Sequence, residues 1–132
     1  MSPGAHHGLR LIVLPMGIWV PDVTLMPDES VELTAPADSF QGRRRVGGRV
    51  TVTAQRLLFT ANRLDRLTGG RSTDVPREAT TRVWAEPAGA RSVRQRGLGA
   101  AFRDQVGLNV PGGPLFITLI HPERLINALT GD

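Results

Sequence analysis

The sequence predicts a mainly β chain of about seven short strands closed by one C-terminal α-helix. Three observations carry that expectation. Apolar and polar residues alternate with a period of two in several short runs, the clearest holding Val106, Leu108 and Val110. Glycine and proline clusters such as Gly47-Gly48 and Pro111-Gly112-Gly113-Pro114 divide these runs as turns divide strands. Residues 122–131 combine the start signals, the stop signal and the apolar face of an amphipathic helix. A chain of 132 residues, 40% hydrophobic, suits one compact domain with a real core. The absence of cysteine excludes disulfide scaffolds and zinc ribbons.

The chain divides into an apolar extension, residues 1–27, and a domain, residues 28–132. The extension holds Leu11, Ile12, Val13, Leu14, Ile18, Trp19 and Val20, a surface that needs cover. It is expected to add a strand or helix to the domain, or to form an oligomer contact. The run from Leu11 to Pro21 is interrupted by Pro15 and is too short to span a bilayer. Pro21, Asp22, Val23 and Thr24 after it lack a small-x-small cleavage pattern, so the expected location is the cytoplasm.

In the domain, Val31, Leu33 and Ala35 alternate with Ser30, Glu32 and Thr34, and Pro36 is expected to end this first strand or hold it at an edge. Phe40 and the loop Gln41-Gly42-Arg43-Arg44-Arg45 follow. After Gly47-Gly48, Val50 and Val52 alternate with Arg49, Thr51 and Thr53; Ala54-Gln55-Arg56 turns the chain into Leu57-Leu58-Phe59. Residues 61–78 read as a long connection with a helical turn at Arg63 to Leu67. Thr80 to Ala85 is a strand with Trp84 opposite Val83, and Pro87 to Gly99 is a loop. Residues 106–120 form a hairpin about Pro111–Pro114, with Phe59 and Phe116 on core strands. In the closing helix, 122–130, Pro122 suits the first position, Glu123 the positive dipole end and Gly131 the stop. Leu125, Ile126 and Leu129 share a face that must dock on the sheet.

With these elements in place, Gly48-Arg49-Val50-Thr51-Val52-Thr53-Ala54-Gln55-Arg56-Leu57-Leu58-Phe59 resembles the hairpin of GRAM domains, bacterial type, within the pleckstrin-homology (PH-like) superfamily. Pro76 before a fourth strand, and the strand and Pro-Glu-Arg-Leu helix from Leu115 to Leu129, are similar to the same family. The resemblance covers residues 28–130 and implies a bent β-barrel capped by the terminal helix. It also implies that the first hairpin loop is where such domains often meet lipid headgroups. Arg77 and Thr80 depart from the pattern, because apolar residues are expected there.

All sixteen basic residues are arginine, and the net charge is only +4, so the pI near 11.4 reflects composition more than a nucleic-acid surface. The positive charge is concentrated between residues 41 and 110, while residues 1–40 carry Arg10 against five acids. Stacking platforms for single strands are scarce at 5% aromatic residues, which argues against nucleic acid. Catalytic motifs are absent: there is no Gly-x-Ser-x-Gly elbow, no His-Glu-x-x-His, and no acid and base pair marked by spacing. Gly97-Leu98-Gly99-Ala100-Ala101-Phe102 lacks the third glycine of a dinucleotide fingerprint. No enzyme activity, cofactor or metal is expected. The expected function is a binding or scaffold module acting through a protein partner or self-association. The alternative is peripheral, phosphoinositide-like binding to an anionic membrane through Arg43, Arg44, Arg45 and Arg49, whose guanidinium groups suit phosphate.

Overall fold

The structure, a computed structural model, describes residues 12–14, 19–42, 44–86 and 105–131. Arg43 and the loop expected at 87–99 lie outside the described residues. Among the described residues nine strands form two antiparallel sheets. The small sheet pairs β1 (Ile12–Leu14) with β2 (Val23–Leu25). The large one holds β3 (Val31–Gln41), β4 (Arg44–Thr53), β5 (Arg56–Ala61), β6 (Thr73–Pro76), β7 (Arg82–Glu86), β8 (Gln105–Val110) and β9 (Gly113–Thr118). A short helix α1 (Arg63–Leu67) joins β5 to β6, a 3-10 turn (Arg77–Ala79) follows β6, and helix α2 (Pro122–Thr130) closes the chain.

The strand order is β6-β5-β4-β3-β9-β8-β7, two meanders joined where β3 meets β9 at Asp38 with Thr118 and Ser39 with Ile117. Among the described residues the outer strands β6 and β7 do not pair with one another. Alternation along the strands turns Val46, Val50, Val52, Leu57 and Phe59 inward with Val106, Leu108 and Ile117, and Leu125 of α2 seals them. Complete burial of Leu125 stabilises the docked helix by about 2 kcal/mol. Gly131, left-handed at φ 81°, ends α2, with its N–H donating to the Asn127 carbonyl.

The described part of the N-terminal segment forms the β1–β2 hairpin, which packs on the large sheet without pairing with it. It lays Val23 and Leu25 against Leu58 on the outer face of β5, with Leu14, Val20 and Val31 around them. Other expectations are corrected by tertiary pairing. Pro36 lies inside β3, because there the strand pairs only with β4, through Arg49, and its other side needs no N–H. The first loop shrinks: Gln41 pairs directly with Arg44, so Arg44 and Arg45 belong to β4, and Gly42 turns at φ 66°. Gly47 and Gly48 lie within β4, and a Cβ on Gly48 would fall 2.0 Å from the Thr60 carbonyl oxygen of β5. Pro76 closes β6, a strand not expected from the sequence, and the strand expected at Thr80 to Ala85 follows it as β7 after the 3-10 turn. Phe59 is buried as expected, but Phe116 lies on the opposite face from the core, edge-on to Trp84 at 6.1 Å. That pair packs over Gly107, where a Cβ would meet the Trp84 ring at 2.3 Å.

Candidate functional site

The arginines singled out in the sequence are drawn apart. Strand alternation puts Arg44 on the opposite face of β4 from Arg45 and Arg49. Arg44 reaches across to the end of α1, donating from Nη2 to the Asp65 carbonyl at 3.1 Å and from its guanidinium to the Thr68 carbonyl and hydroxyl. Its ion pair with the Asp65 carboxylate spans 3.6 Å. Arg45 grips Asp38, with Nε 2.7 Å from Oδ2. Arg49 Nε donates to the Thr34 hydroxyl at 2.9 Å. Each of the three thus donates at least one hydrogen bond within its own chain.

Asp65 explains why α1 forms where it does. Asn62 caps the helix by accepting the Asp65 N–H at 2.7 Å. The Asp65 carboxylate accepts the Gly47 N–H at 2.8 Å, which ties the helix to β4, and its carbonyl accepts the Gly70 N–H at 2.7 Å. Anchored by its polar residues, α1 buries none of its five side chains. Leu64 and Leu67, one turn apart, are 65% and 84% exposed. The N-terminal hairpin abuts this helix, since the Arg63 N–H donates to the Trp19 carbonyl at 2.6 Å. Trp19 itself is 70% exposed, and Val13 and Met26 on the same hairpin are also exposed. Pro21, Arg63, Arg66 and Leu67 line a shallow groove of about 380 Å³ between the two elements.

A buried ion pair holds the hairpin in place. Glu29, its side chain fully enclosed, accepts from Arg56 Nε at 2.7 Å and Nη2 at 2.9 Å, from the Thr53 hydroxyl at 2.6 Å and from the Met26 N–H at 3.0 Å. Arg56 also donates to the Thr24 carbonyl at 2.7 Å. Burial alone would raise the Glu29 carboxyl, but these hydrogen bonds and the Arg56 charge outweigh it and hold the pKa at about 2, below the ordinary 4.5. The Glu29 hydrogen bond in turn pushes Arg56 up.

A second concavity, of about 520 Å³, opens between β6 and the β8–β9 turn, lined by Thr73 to Pro76, Phe40, Arg71, Pro111, Pro114 and Leu115. His121 precedes α2 at the cap position, but its side chain does not cap the helix. Among the described residues no three His, Asp or Glu side chains assemble as a metal site, and no helix is long and apolar enough to cross a membrane.

The sequence missed this exposed face. Its signal was present in Leu64 and Leu67, apolar at i and i+3 behind an Asn cap, but nothing local says whether such a pair faces a core or solvent. Trp19, part of the apolar surface that the sequence says needs cover, is exposed in the described structure.

Fold and surface together define a mainly β chain with a C-terminal helix and an exposed apolar face beside a short helix. No protein-family model and no curated protein matches the chain. The solved structure of the C-terminal domain of an unknown protein from Leishmania infantum is similar to it, with a TM-score of 0.54 and 11% identity over 78% of this chain and 83% of that one. At that identity the likeness concerns the fold alone.

Proposed function

We propose that this chain is a non-enzymatic binding and scaffold module with a PH-like, GRAM-type bent barrel, and that it self-associates through the face formed by the β1–β2 hairpin and α1. The fold reading is supported by seven antiparallel strands in two meanders with α2 against both. The stretch Gly48–Phe59 that resembles GRAM domains forms the β4–β5 hairpin.

One observation carries the functional reading. Of the six large apolar side chains exposed among the described residues, five (Val13, Trp19, Met26, Leu64 and Leu67) lie on two abutting elements, and only Ile120 lies elsewhere. Scattered apolar exposure is ordinary, but clustering of this kind marks an interface. A second copy is the favoured occupant because the face carries both signs. Asp28, which follows β2, and Arg66 on α1 are both exposed, so a two-fold pairing of this face offers an acid and a base. Binding to an anionic membrane draws less support, since Arg44, Arg45 and Arg49 are engaged within the chain.

Sedimentation equilibrium tests the reading. The apparent mass of the wild type should rise with concentration from 14.3 kDa toward twice that value. The double variant Trp19→Ser, Leu67→Glu should associate at least about tenfold more weakly, about 1.4 kcal/mol, with an unchanged unfolding curve. A wild type that stays monomeric, or a variant that associates equally well, defeats the proposal.

A further inference from the structure

A two-stranded hairpin has two edges, and in the β1–β2 sheet one is closed and the other open. The outer edge of β2 is consumed by its own chain. The Thr24 carbonyl accepts from Arg56 Nη2 at 2.7 Å, the Met26 N–H donates to Glu29 Oε1 at 3.0 Å, and the Met26 carbonyl accepts the Glu29 N–H at 3.0 Å. Thr24 therefore points its backbone groups away from β1. In an antiparallel ladder such a residue stands opposite one that does the same, and bonded pairs lie on either side. Thr24 pairs with Val13, so Ile12 and Leu14 bond to Leu25 and Val23 while the Val13 N–H and C=O point out of the hairpin.

These two groups have no partner among the described residues. The Val13 side chain is 56% exposed and belongs to the apolar face described above. Two strands alone make a marginal sheet, and an open edge is a template for another strand. Symmetry selects that strand. One residue that offers a donor and an acceptor side by side is self-complementary: across a two-fold axis, Val13 of each copy donates its N–H to the Val13 carbonyl of the other. The two β-branched side chains then lie next to one another on the same face of the sheet.

We infer that two copies join at β1, Val13 opposite Val13, in a four-stranded antiparallel sheet ordered β2-β1-β1-β2. This inference rests on the self-association proposed above and specifies the contact that makes it. The outer edges of the joined sheet are the two β2 strands, already closed by Arg56 and Glu29, so assembly stops at two copies.

Amide hydrogen exchange of the wild type, followed below and above the concentration of half association, tests the pairing. Exchange at Val13 should slow at least about tenfold in the associated state, while exchange at Thr24, on the closed edge, should not change. Val13→Pro removes only an outward N–H and follows a residue that is already extended, so the hairpin keeps its ladder. That variant should associate at least about tenfold more weakly with an unchanged unfolding curve, and Val13→Thr, which keeps the N–H and the branch, should associate as the wild type does. If Val13→Pro does not fold, the exchange pattern decides alone. A wild type that stays monomeric defeats the self-association reading and this inference with it. A wild type that associates while Val13 exchanges at an unchanged rate overturns the strand pairing and leaves the apolar face standing, as does a folded Val13→Pro that associates equally well. Species larger than a dimer also overturn it, since they need a further open edge.

Discussion

Four hydrogen bonds converge on the Glu29 carboxylate, and this makes its ionisation part of folding. A carboxyl depressed from 4.5 to about 2 in the fold binds its proton more weakly there than in the unfolded chain. Its stabilisation is therefore present above about pH 4.5 and is lost as the pH falls toward 2. Replacing Glu29 by Gln should cost about 2 kcal/mol near pH 7, the scale of charge-assisted bonds in a mostly enclosed site. That cost should shrink steadily below about pH 4.5, because the wild type then loses what the variant already lacks. Urea unfolding midpoints of both proteins across this range check the statement; a difference independent of pH contradicts it. The same residue shows where the sequence fell silent. Glu29 and Arg56 are 27 positions apart, and no local pattern announces that they meet.

The element that depends most visibly on a distant residue is α2. Its last carbonyls, Ala128 and Leu129, accept from Arg77 Nη2 at 2.8 and 3.3 Å, while Nη1 of the same guanidinium binds Glu32 and the Thr53 carbonyl at 3.0 and 3.1 Å. Arg77 stood out in the sequence as a polar residue where an apolar one was wanted; in the fold it satisfies the helix end and joins it to β3 and β4. Arg77→Ala should destabilise the chain by about 1–3 kcal/mol, with α2 amides the first to lose exchange protection, and Lys should not restore it, since an ammonium cannot span four acceptors in a planar fork. The helix was itself legible, bounds included, because Pro122, Glu123 and Gly131 are local signals and Leu125 a local period. α1 was legible from the turn at Arg63–Leu67, and the β4–β5 hairpin from alternation. β6 was not, because four residues with only Val75 buried give no period. Pro36 misled for a related reason: whether a proline breaks a strand depends on which neighbour that strand has at that point, and the neighbour here is decided by β9.

At the scale of the whole molecule, the two meanders share only two residue pairs, and α2 packs on β3 and β4 of one and β7 and β8 of the other. The helix thus holds together a sheet whose own seam is short. The candidate surfaces were the least legible part for the same reason. Charge counting found the arginines, but their partners Asp65 and Asp38 are assigned by strand register, and exposure of Leu64 and Leu67 follows from where Asp65 anchors α1. The two indoles fall on different sides of this organisation. Trp19 stands in solvent, whereas Trp84 is half-buried, with the Arg82 guanidinium 5.2 Å from its ring centre. With no tyrosine in the chain, its near-ultraviolet emission has just these two sources, and they are separable. Iodide should quench Trp19 freely, and less so as the protein concentration rises. The emission shielded from iodide belongs to Trp84 and should shift only when the sheet opens. One unlabelled sample thus carries an optical gauge of assembly and another of folding.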